Sequence, residues 1–295
     1  MRLKEAIDEF SKLRRYEITT YTNKGHDTTL RYFAMYMENC DVEEVRPSDV
    51  SDYFETLEKL GWDRRAFVTK VNGFRKFFRF LRLQNYKVFH EDLIPVPRKV
   101  FVMPRTITLE EHCKILSVIP QNQDPRHLKN RAILMLLWDT GCRIGEILDL
   151  DIDDLKNRQA IIKTKKSRGF KPIRQIFWTK DTQREIDRWL QRRKKLKYGQ
   201  DEKALFIGAS GGFCGRRFTP TGMAHSLRAY SKKAGIFPFI HCHMYRHAYG
   251  RALARKGVNN GVISDLMGHS NINSSRIYTT LEGTDLKKEW AKVRG

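Results

Sequence analysis

Three segments decide how this chain is read: Thr140-Gly141-Cys142-Arg143-Ile144-Gly145-Glu146, then His243-Met244-Tyr245-Arg246-His247, then Leu266-Met267-Gly268-His269-Ser270, with Tyr278 following nine residues after His269. Each is weak alone. Arg143 and Glu146 stand one turn apart on a predicted short helix, so the carboxylate can hold the guanidinium. Surface pairs of that kind are commonplace. His243 and Arg246, at i and i+3, point the same way and suit a single phosphate: the arginine offers a bidentate fork and the histidine titrates near neutrality. A lone helical histidine is more often part of a core. Tyr278 is one of eleven tyrosines, so its residue type does not single it out.

Outward from these segments, charge narrows the partner class. The 56 Lys+Arg against 34 Asp+Glu give a formal charge of +22. Such an excess suits a polyanion, nucleic acid first and an anionic membrane surface second. The charge is unevenly placed: residues 1–95 sum to +1 and residues 96–295 to +21. No apolar run approaches the roughly 20 residues of a membrane span, and MRLKEAIDEF lacks the apolar core of a signal peptide. The expectation is a soluble protein of the cytoplasm, associated with the nucleoid. The five cysteines are scattered without a C-x-x-C pair, which argues against a disulfide framework or a zinc finger. His241-Cys242-His243 is too tightly spaced for a tetrahedral site, so no metal is expected.

The chain divides into a predicted N-terminal helical domain (1–92), a linker (93–105) and a C-terminal domain (106–295). Thr28–Cys40 and Pro47–Leu60 show helical periodicity. So does a segment from Trp62 to Tyr86, in which Phe67, Val71, Phe74, Phe78 and Leu81 form an apolar stripe. Arg75, Arg79 and Arg82 form a second stripe on another face. Acids are nearly absent from that helix, so the stripe reads as a phosphate-contacting surface. Leu93–Arg105 holds three prolines and no amphipathic period, which suits an extended connection. Thr108 with Glu111 predicts a capping box opening the second domain. An apolar helix over Ala132–Leu137, a hairpin of Ala160–Lys163 with Pro172–Trp178, and two or three helices from Phe237 onward follow. The acids of Asp149–Asp154 are expected to cap or flank a helix. The fold class is mainly α in two domains, with a small antiparallel sheet in the second.

The ordered set Arg143, His243-x-x-Arg246, Gly268-His269 and Tyr278, within TGCRIGEILDLDIDD, HMYRHAYGRAL and ISDLMGHSNINSSRIYT, resembles the tyrosine recombinase (phage integrase) family over roughly residues 106–282. The first domain is similar, more loosely, to the helical SAM-like DNA-clamping domain that the family carries in front. The resemblance implies a DNA breaking-rejoining fold and a site-specific recombinase working through a 3′-phosphotyrosine, without cofactor, metal or ATP. Cleaving a phosphodiester that way requires a nucleophile, positive donors on the non-bridging oxygens and an acid for the leaving group. By resemblance Tyr278 is the nucleophile, Arg143 and Arg246 clamp the oxygens, His269 donates a further bond, and His243 takes the phenol proton or assists as a donor. Glu146 orients Arg143 from behind. The acid is a hairpin lysine, best matched by Lys163, with Lys165 and Lys166 within reach of the role. The run Lys165, Lys166, Arg168 also reads as a plain DNA-backbone patch. Tyr245 stands where the family usually has leucine and brings a spare hydroxyl.

Implied partners are a double-stranded DNA site and a homotetramer on two such sites (monomer or dimer off DNA), with strand exchange through a Holliday junction. A final helix over 284–293, with Leu286, Trp290 and Val293 on one stripe, either folds back on its own domain or docks on a neighbouring subunit. A topoisomerase-like strand-passage enzyme shares the chemistry. A DNA-binding regulator on a dead catalytic fold is disfavoured because every expected side chain is present.

Overall fold

The computed structural model describes residues 1–14, 20–62, 64–96, 103–163, 173–196, 203–209 and 214–268; of residues 20–24, 64–66 and 163 it describes the backbone only. Two compact units are present, Met1–Val102 and Met103–Gly295.

The first unit is four helices: α1 (Leu3–Arg14), α2 (Thr20–Tyr36), α3 (Pro47–Lys59) and α4 (Arg64–Leu83). Its core is strongly aromatic. Phe33 of α2 meets Phe74 of α4 edge-on at 5.0 Å, and Phe10 of α1 meets Phe77 at 5.4 Å. The stripe Phe67, Val71, Phe74, Phe78 and Leu81 is buried as its spacing predicts. Two helix ends differ from the sequence reading. α2 stops at Tyr36 because Glu38 and Asn39 turn left-handed (φ 51° and 55°), and α4 stops at Leu83 ahead of Asn85 (φ 64°). Ile94, read as linker, is buried in this first core after a 3₁₀ turn at Glu91–Leu93.

The second unit is built on α6 (Pro125–Thr140), which follows α5 (Leu109–Val118). Ala132, Ile133, Leu134, Leu136 and Leu137 are all fully buried, so this helix is apolar around most of its circumference and runs through the centre of the unit. Thr108 caps α5, its Oγ1 accepting from the Glu111 N–H at 3.1 Å while Glu111 accepts from the Thr108 N–H at 3.0 Å. After α7 (Ile144–Leu148) the acids of Asp149–Asp154 hold a 3₁₀ turn, Asp154 accepting from the Asp151 N–H at 2.8 Å. The sheet is one antiparallel hairpin, β1 (Gln159–Lys163) with β2 (Ile173–Phe177), in the register Ile162↔Arg174 and Lys163↔Ile173. Then come α8 (Lys180–Lys194), α9 (Pro220–Lys233), α10 (Cys242–Arg255) and α11 (Asn260–Met267). α8 and α10 pack on α6, and Trp189 of α8 donates its indole N–H to the Leu205 carbonyl at 2.8 Å. The mainly helical class with a small antiparallel sheet is what the sequence predicts. No helix among the described residues is long and apolar enough to cross a membrane.

Candidate functional site

The site begins where α6 ends. Gly141 takes a left-handed conformation (φ 59°), and a Cβ there would stand 2.4 Å from the Tyr249 ring of α10. Only glycine allows both the turn and that approach. The turn makes Arg143 the residue that opens α7. Its backbone N–H donates to one oxygen of Glu146 at 2.9 Å, and its Nη1 donates to the other, also at 2.9 Å. The Arg143–Glu146 contact that the spacing predicts is present.

Glu146 has a second partner that the sequence reading missed. Arg174, on the inward face of β2, donates to the same carboxylate at 2.7 and 3.2 Å and to Cys142 Sγ at 3.2 Å. The side chains of Arg174 and Glu146 are only 7% and 8% exposed, whereas Arg143 is 41% exposed. Burial pushes the Glu146 carboxyl up, but the bonds and charge of Arg174 and then Arg143 outweigh it and hold the group down to about 2. One carboxylate therefore joins a buried guanidinium to a half-exposed one. The available signal was an arginine at an inward-facing strand position, opposite Ile162 and two residues before buried Ile176.

α10 carries the second segment. Arg246 is 1% exposed, and its Nη1 donates to the Gly141 carbonyl at 3.0 Å while Nη2 donates to the Met267 carbonyl. It thus ties the end of α6 to the end of α11. His243 is exposed on the same helix, and its ring stands 4.5 Å from that of His247. Partial desolvation, then the charges of His247, Arg246, His241 and Arg143, bring His243 down to about 4. The imidazole is neutral at pH 7 and able to accept a proton. Arg246, three residues after His243 on α10, reaches the Gly141 carbonyl two residues before Arg143.

Tyr245 needs a correction. Its hydroxyl is not spare: it points into the core and sits 3.4 Å from Nδ1 of His112, which stacks on Trp138 at 4.4 Å. Burial raises the Tyr245 phenol far above its ordinary range, which removes it as a rival nucleophile.

β1 ends at Lys163, whose backbone pairs with Ile173; its side chain lies outside the described atoms. Lys165, Lys166, Arg168, His269, Tyr278 and the 284–293 tail fall outside the described residues. Gly268 closes α11 in a left-handed conformation (φ 63°), and a Cβ there would be 2.4 Å from Arg174 Nη1. Among the described residues no three His, Cys, Asp or Glu side chains come together as a metal site.

The basic stripe of α4 has acidic partners from outside the helix. Arg75 donates to the Glu91 carbonyl at 3.1 Å and pairs with Asp92, Arg82 grips the Glu91 carboxylate with two bonds of 3.2 Å, and Arg79 reaches it at 4.0 Å. The helix is nearly free of acids, but the turn that follows it supplies them.

The phage integrase family model matches residues 105–284, more than half of the chain. Tyrosine recombinase XerD of Listeria innocua is 27% identical over 297 residues, covering 97% of each chain. Tyrosine recombinase XerA of Thermococcus onnurineus is 26% identical over 294 residues, covering 98% of this chain and 97% of its own. Among solved structures, the XerH site-specific recombinase bound to a palindromic difH substrate matches with a TM-score of 0.74 at 19% identity, over 99% of this chain and 85% of that one. Arg143 on its buried glutamate and the family match over this same unit agree: the chain belongs to the phage integrase family of tyrosine recombinases.

Proposed function

We propose that this site-specific recombinase breaks and rejoins duplex DNA through a covalent bond between Tyr278 and the 3′-phosphate. The phenol oxygen attacks phosphorus, the bond to the 5′-oxygen breaks, and a 3′-phosphotyrosine and a free 5′-hydroxyl result. An incoming 5′-hydroxyl reverses the step. The observation that carries the reading is the Arg143–Glu146 pair, a half-exposed guanidinium whose residue is held at two points by a buried carboxylate. Preorganised donors of that kind stabilise the charge that builds on non-bridging oxygens. Arg246 adds a second positive group, fixed by the Gly141 and Met267 carbonyls. His243, held neutral, accepts the phenol proton, since a free tyrosine near pKa 10 is mostly protonated at pH 7. His269 supplies a further donor and Lys163 protonates the leaving oxygen, with Lys165, Lys166 and Arg168 beside it on the DNA backbone.

Strand exchange needs two cleaved sites held together, so the working form is a homotetramer on two duplexes, exchanging strands through a Holliday junction. Trp290, in the helix predicted over 284–293, anchors neighbouring subunits. The test starts by trapping the protein covalently on nicked suicide duplexes of random sequence and sequencing what is bound. Tyr278→Phe should keep DNA binding and lose the adduct entirely. An adduct that persists in that variant would show that another residue is the nucleophile.

A further inference from the structure

We infer that Arg174 is a positioning residue for the cleavage reaction, fixing through one buried guanidinium the backbone and side-chain groups that place Arg143 and His269. The inference rests on the function proposed above, and the geometry that carries it is separate from any ligand.

Arg174 faces inward from β2, and its side-chain hydrogen bonds go to two residues. Two bonds fix the Glu146 carboxylate, the same carboxylate that fixes Arg143. A third runs to Cys142 Sγ, the residue between the Gly141 turn and Arg143. The guanidinium also lies against Gly268, the residue before His269, closely enough that no side chain fits there. Its backbone pairs with Ile162, adjacent to the Lys163↔Ile173 pair that ends β1. Met267, whose carbonyl receives Arg246, immediately precedes Gly268. One side chain therefore touches the supports of two of the six residues assigned to the chemistry, Arg143 and His269.

A charge buried this deeply is costly unless it is paired and hydrogen-bonded. Core-filling alone would be served by an aliphatic residue opposite Ile162, as Ile176 serves two positions later. The arginine is explained by what it orients. Glu146 held only by Arg143 would move with that half-exposed side chain. Held from behind by two bonds, it becomes a fixed platform, and the direction of the Arg143 fork is set before substrate arrives.

Single-turnover cleavage of the site recovered by trapping, in nicked suicide form, tests this. R174K keeps the charge but not the planar fork. DNA affinity and unfolding midpoint should stay close to wild type while the cleavage rate falls about 10–100-fold, the range typical for loss of an outer partner. In an R143K background, where the fixed fork is already gone, R174K should slow cleavage by less than a further factor of about two, since the two act as one unit. Wild-type cleavage by R174K, or a full multiplicative loss on top of R143K, overturns the inference. R143A in the same assay separates the two ideas. If R143A is inactive and R174K is normal, only the positioning role falls; if R143A cleaves normally, the assignment of Arg143 falls. Should R174K not fold, R174Q combined with E146Q removes both buried charges together. The same slow cleavage at normal binding is then expected, and normal cleavage is the overturning result.

Discussion

Glu91 in the first unit and Glu146 in the second each collect arginines, yet they do different work. Around Glu91 every cationic partner reaches the surface: Arg75, Arg82 and Arg79 are 29%, 42% and 68% exposed, and their contacts with the carboxylate or its backbone run from 3.0 to 4.0 Å. Around Glu146 the partners are split, with Arg174 buried behind and Arg143 half-exposed in front, at 2.7 to 3.2 Å. Screening by water makes the first set of pairs individually weak and exchangeable. The low dielectric around the second makes it stiff and makes any missing partner costly. An exposed arginine is aimed only when something buried holds the group it leans on.

The sharpest break of this contrast is Glu146→Ala. It strands the Arg174 guanidinium in the core, and removing one member of a buried pair costs about 3–5 kcal/mol. Thermal unfolding should show a fall of order 10 °C for a unit of this size. A loss below about 1 kcal/mol would mean that Arg174 reaches water on its own. Glu146→Gln keeps an acceptor and should fall in between.

The contrast also explains what the sequence made legible. The Arg143–Glu146 pair and the Thr108–Glu111 capping box are contacts within four residues, so spacing alone exposes them. The hairpin and the buried face of α4 follow from periodicity in the same way. Arg174 meets Glu146 across 28 residues, and nothing local in IRQIF announces a partner. The acids that neutralise the α4 stripe lie beyond the helix end, where a count restricted to the helix misses them. Tyr245 is the same lesson in a core: its partner His112 is 133 residues away. In α8 the many charges disguise a short inward stripe of Ile186 and Trp189. Local pairs were readable; those that cross between elements needed the fold.

The buried neighbourhood of His112 gives the next largest effect. Desolvation is the main cause that brings His112 down to about 4, against about 6.5 unfolded. Below about pH 6.5 the unfolded chain takes up a proton that the folded one refuses until near pH 4. Stability therefore falls as the pH drops through that window, by an amount on the order of 3 kcal/mol at its lower end. His112→Phe keeps a ring against Trp138 and removes the titration. Its urea-unfolding free energy should fall less steeply than wild type between pH 6.5 and 4, with a modest loss at pH 7 from the missing Tyr245 contact. An identical slope in both proteins would mean that His112 is protonated while folded.

The smallest effect is expected at Glu91, and it sharpens the comparison from the other side. Glu91→Gln removes charge from a carboxylate that is itself only 12% exposed but whose arginines reach water, so stability should change by less than about 1 kcal/mol. The consequence lies in DNA binding. If Arg75, Arg79 and Arg82 meet phosphates in the complex, they must first let go of Glu91 and Asp92, and the carboxylate competes with DNA for them. Relieving that competition should tighten binding at low salt. It should also steepen the fall of log K with log salt by up to about 0.9 for each arginine newly given to a phosphate. Titrations at several salt concentrations measure both quantities on the same protein. Parallel salt plots for wild type and variant would show that the stripe only pins the Glu91–Leu93 turn to α4, and that the first unit meets DNA through other side chains.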